Sequence, residues 1–197
     1  MFLLYFVNIG CVTLLVNMHF FDSVKIPLLN GDYEEFSVMW YRLIGSVLLI
    51  QISLMIFTTN GANFAIQLLQ SCKRCKDRSC RCRANSTKQL SQQDYEELNF
   101  GSLPFMEYKY SNLLTVLFVT MMYSSGMPIL YFISTVFFLA TYWTEKVMFF
   151  YFYRKPENLD ENLAKRTLGW FKYALFAHMV MGLLMYSNVK ILPGKAE

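Results

Sequence analysis

Residues 108–153 read YKYSNLLTVLFVTMMYSSGMPILYFISTVFFLATYWTEKVMFFYFY, and this stretch decides the fold. It is almost wholly apolar. As one helix it would be roughly 69 Å long, against a hydrocarbon core of about 30 Å. Gly126-Met127-Pro128 divides it. Proline has no backbone N–H and cannot continue an interior helix without a break. The stretch therefore reads as a hairpin turning at 126–128, with 110–125 going up and 129–153 coming back. The first arm is short for a full crossing, so a re-entrant pair fits the same residues.

Outward from the hairpin, 168–187 is another apolar run, with His178 near its centre. Residues 1–21 form a run interrupted only by Asn8, Asn17 and His19, and 38–58 form one whose helical pattern continues to Gln70. The expected class is all-α, a multi-pass integral membrane protein with about five transmembrane helices. Composition agrees: the 197 residues are 55% hydrophobic, 17% aromatic and only 16% charged. A soluble domain carries about a quarter charged residues, so neither a water-soluble enzyme nor a disordered chain fits. The first run lacks a basic head and is longer than a signal-peptide core, which argues against a cleaved leader. A chain that begins inside a span is expected to be part of a longer protein. As one helix, 38–70 would be roughly 50 Å long. Either its end protrudes from the bilayer or it bends, and Asn60-Gly61 is the expected bend.

Lys and Arg set the topology. Segment 71–109 carries eight of them and 154–172 carries five, whereas 22–37 has Lys25 alone against four acids. The first two are expected in the cytoplasm and the third outside. The chain thus divides into two spans with an outer loop at 22–37 (1–70), a basic, Cys-rich cytoplasmic loop (71–109), and three spans including the hairpin (110–190). Within the loop, 86–100 reads as a short polar helix. The sequon Asn85-Ser86-Thr87 falls on the side where no glycan is added.

Candidate functional residues follow from polarity inside the spans. Steps of four and three from Arg42 collect Ser46, Ser53, Asn60, Asn63 and Gln67 on one helical face. Polar groups are costly in lipid, so such a face meets protein or water. Two readings fit. One is interhelical packing, with Ser and Asn as hydrogen-bonding glue. The other is a hydrated permeation path that flexes at Gly61. Asn112, Thr115, Thr120, Ser124 and Ser125 offer similar small polar groups on the next span, and Gly126 and Pro128 make the hairpin turn.

Cys72, Cys75, Cys80 and Cys82 have enough thiols for one Zn²⁺, but the spacing is tight and no mini-core surrounds them. Juxtamembrane cysteines among basic residues fit contact with anionic inner-leaflet lipids and reversible acylation better. Glu145 is the single acid of the last three spans, and one carboxylate is thin for Ca²⁺. No metal site and no cofactor is expected. There is no Gly-rich phosphate loop and no HExxH, and His19 and His178 are isolated, so no enzyme signature is present. The basic run lies against a membrane span, which argues against nucleic acid as a partner.

The order of features resembles a known family. Leu103-Pro104-Phe105-Met106-Glu107-Tyr108-Lys109-Tyr110 leads into a span ending Met122-Tyr123-Ser124-Ser125-Gly126-Met127-Pro128. An apolar return follows, closing on Tyr151-Phe152-Tyr153-Arg154-Lys155-Pro156. This resembles the C-terminal pore-region half of the hyperosmolality-gated calcium-permeable channels, in a protist-type form. They share a superfamily with anoctamins and transmembrane-channel-like proteins. The likeness covers about residues 86–190 and is most specific over 104–156.

The resemblance implies an osmotically or mechanically gated, calcium-permeable cation channel or, in some relatives, a lipid scramblase. It also implies that the second span is the gating helix, with Gly61 at a flexible bend. The acidic calcium cluster of anoctamins has no counterpart in this sequence. Five helices hardly seal a pore alone, so the missing helices of a longer chain or other membrane subunits are expected partners, along with membrane lipids. A non-conducting structural subunit of a larger membrane complex is the alternative.

Overall fold

The computed structural model describes residues 1–17, 36, 38–78, 87–99, 101, 104–154 and 161–187. The outer loop, apart from Phe36, lies outside these, as do His19, Cys80, Cys82, Asn85 and Lys155. Most of the described residues are helical, with no strand among them. Two helices are long and apolar enough to cross a membrane, Val38–Asp77 and Asn162–Tyr186, and Phe2–Val16 is a shorter apolar helix. The hairpin arms fall outside that pair. Met106–Tyr123 opens with Glu107 and Lys109, and Ile129–Tyr151 is diluted by Tyr, Trp, Thr and the Glu145-Lys146 pair.

The chain forms two compact units. The first takes in the described residues of Met1–Leu54, Met106–Phe138 and Glu161–Glu197. At its centre is Met106–Tyr123, which starts two residues after Pro104 and stops before Ser124-Ser125-Gly126. It packs on the last helix, Asn162–Tyr186, and on the N-terminal helix. Phe2, Leu114, Phe118 and Ala174 form the apolar contact among the three, and the Phe2 ring sits 4.9 Å from Phe118 and 5.5 Å from Trp170. The helix breaks at 124–128. Pro128 stands just before Ile129 at the start of the return arm, where its missing N–H costs nothing.

Two stretches leave α geometry for π geometry, Val7–Val12 and Tyr41–Gly45. Each contains a glycine that meets the hairpin. Tyr123 donates its hydroxyl to the Gly10 carbonyl at 2.6 Å. A Cβ on Gly45 would come within 2.6 Å of the Met127 sulfur. Gly126 is tighter: a Cβ there would lie 2.5 Å from Tyr41 Oη and 2.9 Å from Met185 Sδ. The turn is thus packed against the start of the long helix and the end of the last one.

The second unit takes in the described residues of Met55–Phe105 and Leu139–Asp160. The long helix runs through it without interruption to Asp77. Asn60-Gly61, where a bend is expected, does not interrupt the helix, because a single exposed glycine lowers helix propensity without breaking it. The cytoplasmic loop expected from residue 71 therefore begins as helix, and its polar helix is confined to Gln92–Asn99. Ser91 Oγ accepts from the Gln93 N–H at 3.3 Å, near the start of that short helix. The backbone at Gly101 runs against the Phe152 carbonyl, leaving no room for a side chain.

Candidate functional site: an inward polar face and a capped turn

In the second unit the long helix is polar inside and apolar outside. Thr59, Asn60, Gln67 and Asp77 are buried, whereas Phe57, Phe64, Ile66, Leu68 and Leu69 are exposed, Phe57 by 72%. A helix in a soluble protein shows the reverse arrangement. Polar atoms on the inner face are partly satisfied by the helix itself. Asn60 Nδ2 donates to the Ile56 carbonyl at 2.9 Å and Asn63 Nδ2 to the Thr59 carbonyl at 3.1 Å. A backbone carbonyl only accepts, so each amide must turn its nitrogen to the helix. The acceptor oxygens are left facing away from it. Gln70 Oε1 is also buried, with no hydrogen-bond partner among the described residues. Gly61 lies on the exposed side with nothing within 4 Å of a Cβ.

Ser46 and Ser53 belong to the first unit. They too bond back, to the carbonyls of Leu43 at 2.8 Å and Leu49 at 2.7 Å. Burial differs along the face: Ser46 is exposed, Ser53 half-buried and Asn60 buried. On the central helix Asn112 and Thr115 are buried. Thr115 Oγ1 donates to the Ser111 carbonyl at 2.8 Å. Asn112 Nδ2 and Thr120 Oγ1 have no partner among the described residues.

A second polar cluster surrounds the hairpin turn, and the sequence reading did not assemble it. His178 Nδ1 lies 2.7 Å from the Met121 carbonyl, with Ser124 Oγ at 3.3 Å and Ser125 Oγ at 3.5 Å. The carbonyl fixes the proton on Nδ1. Tyr186 donates to the Ser125 carbonyl at 2.9 Å, and Ser124 Oγ is 2.9 Å from Tyr131 Oη. The last carbonyls of a helix have no partner within it. Here the last helix supplies donors to carbonyls at the end of the central one. His178, Gly182 and Tyr186 are spaced by four, which puts a donor, a small residue and a donor on one face. That spacing is the signal the sequence held. No family model, no curated protein and no solved structure matches the chain.

The exit of the long helix is the third polar feature. Asp77 accepts from Thr87 Oγ1 at 2.7 Å, the Lys88 N–H at 3.0 Å and Gln89 Nε2 at 3.5 Å. Chiefly through the Thr87 hydroxyl, and against the opposing effect of burial, these hold the carboxyl below its usual range. Arg74 Nε adds a bond to the Leu98 carbonyl at 2.8 Å. Of the four clustered cysteines, Cys72 and Cys75 are described, and both are exposed. Among the described residues there is no group of His, Cys, Asp or Glu that could hold a metal ion.

Proposed function

We propose that the chain is the membrane-embedded pore region of a multi-pass cation channel, gated osmotically or mechanically. The observation that carries this reading is the inverted long helix, with Thr59, Asn60 and Gln67 buried and Phe57, Phe64 and Leu69 exposed. Exposed apolar surface on this scale calls for lipid. The return arm and the last helix add to it, with Phe132, Phe150 and Tyr151 exposed on one and Phe176 and Leu183 on the other. Lys146 lies 5.2 Å from the Trp143 ring centroid and Lys172 lies 5.1 Å from that of Tyr173. Aromatic and basic residues placed together suit the cytoplasmic membrane interface. The multi-pass arrangement rests on these exposed faces and on the Lys/Arg asymmetry.

Cation preference is favoured by chemistry. The donors of Asn60 and Asn63 are taken up by the helix backbone, which leaves oxygens as the groups on offer. Oxygen acceptors suit cations and water better than anions.

Cysteine scanning of 42–67 in the full protein, with native cysteines replaced, is the test. Positions 60, 63 and 67 should react with a water-soluble thiol reagent and change the current, and positions 57 and 64 should not. If no reagent reaches the inner face in open or closed conditions, the path is refuted.

A second reading is a non-conducting subunit that packs into a larger complex, or a scramblase groove. The same self-satisfied serines and asparagines favour the packing version, since a side chain bonded to its own helix needs no water. A headgroup-flipping assay in proteoliposomes separates the scramblase.

A further inference from the structure

The Asp77 clamp joins two points ten positions apart, and everything between them is basic or neutral: Arg78, Arg81 and Arg83 lie in the interval, with no acid. The clamp is built from donors on one side only. Thr87 Oγ1, the Lys88 N–H and Gln89 Nε2 all point at one carboxylate. Thr87 is exposed and its oxygen also accepts from the Gln89 N–H at 3.2 Å, so one hydroxyl holds both the clamp and the local turn. We infer that Thr87 is a phosphorylation site, and that its modification by a Ser/Thr kinase with an acidic substrate groove opens the Asp77 clamp. The arginines upstream supply the charge such a groove selects.

The γ-phosphoryl group of a nucleoside triphosphate passes to Thr87. The Oγ1–P bond forms and the bond from that phosphorus to the β,γ-bridging oxygen breaks. The hydroxyl proton goes to the kinase's general base, and the nucleoside diphosphate leaves. The product has lost the proton that Asp77 accepted. In its place stands a group of about −1.5 to −2 charge beside a carboxylate. Like charges at that distance repel, and the repulsion drives Thr87 away from Asp77. A basic juxtamembrane segment neutralised in this way also loses its attraction for anionic lipid.

The inference rests on the cytoplasmic placement of this segment. Thr87 is also the hydroxyl residue of the sequon Asn85-Ser86-Thr87, so the two sides of the membrane impose different fates on the same residue.

The test uses the full chain in detergent, treated with such a kinase and ATP, phosphosite mapping, and hydrogen exchange of the Lys88 amide. The expected result is phosphate on Thr87 and exchange at Lys88 faster by about tenfold or more, as for an opened local unit. Thr87→Val should block the phosphate. Asp77→Asn should speed exchange without kinase, and phosphorylation should then add nothing. Phosphate elsewhere but not on Thr87, or phosphate on Thr87 with Lys88 exchange unchanged, overturns the switch. Sealed microsomes report sidedness separately. Labelling of Thr87 from the cytosolic face supports the proposal. A glycan on Asn85 overturns the topology and the regulatory role together, even when the detergent experiment succeeds.

Discussion

Substituting two glycines should have opposite effects. Gly126→Ala places a methyl group 2.5 Å from Tyr41 Oη, 2.8 Å from Tyr41 Cε1 and 2.9 Å from Met185 Sδ. Met185 is flexible in kind but 1% exposed, and the Tyr41 ring contacts those of both Trp40 and Phe36. Neither neighbour gives way cheaply, so overpacking should cost about 1–3 kcal/mol. Gly61→Ala meets nothing within 4 Å and sits inside a continuous helix. It should gain up to about 1 kcal/mol from helix propensity. Reversible unfolding in mixed micelles, followed by far-ultraviolet circular dichroism, measures both. Tyr41→Phe in the Gly126→Ala background removes the nearest atom and should recover part of the loss, since the ring carbon remains. Gly126→Ala as stable as the parent, or Gly61→Ala as damaging as Gly126→Ala, would refute the packing argument. A stabilised Gly61→Ala whose gating threshold nevertheless shifts would show that the helix bends during opening.

Three further outcomes follow from single contacts. His178→Leu removes the donor to the Met121 carbonyl and should cost about 1–3 kcal/mol in the same unfolding assay, with His178→Asn, which keeps a donor, recovering part of it. Asp77 has a lowered pKa in the fold, so its contribution is fully present above the unfolded value of 3.8 and is lost as pH falls through the lower folded value. The Lys88 amide resonance should therefore titrate with a midpoint below 3.8, and a midpoint at or above it refutes the clamp. Gly101→Ala drives a methyl group into the Phe152 backbone and should raise hydrogen exchange in the flanking segments 92–99 and 148–154, whereas unchanged exchange there removes the contact.

The break between the two arms is legible because its signals are local. Gly126 and Pro128 punctuate the chain whatever surrounds them, and the arms fall on either side. The helical class followed from composition and period. The π turns were not legible, because they depend on what packs against them: Gly45 on Met127 and Gly10 on Tyr123 join positions far apart in sequence. His178 looked isolated for the same reason, since its carbonyl partner is 57 residues away. At Gly61 the helix runs on, because a glycine permits a break without requiring one. The polar stripe lies on a continuous helix, and over seven residues its drift is only about 20°. Burial along it varies nonetheless, because neighbours at each height decide what is covered. Ser46 is exposed and Asn60 is not.

Asn60→Leu separates the two readings of the inner face. The substitution keeps the branched shape at Cγ and removes both polar atoms. Loss of the Nδ2 bond leaves no orphan, since the Ile56 carbonyl already has its place in the helix ladder. What remains is the fate of Oδ1. If a protein donor satisfies it in the assembled complex, Leu strands that donor in a buried site, at a cost of about 1–3 kcal/mol. If Oδ1 faces water or a permeating cation, nothing is stranded and stability stays level or rises, while conduction falls as an oxygen leaves the path. Measuring unfolding and current on the same variant therefore gives a signed answer: lost stability with intact current identifies packing, and retained stability with lost current identifies a hydrated path.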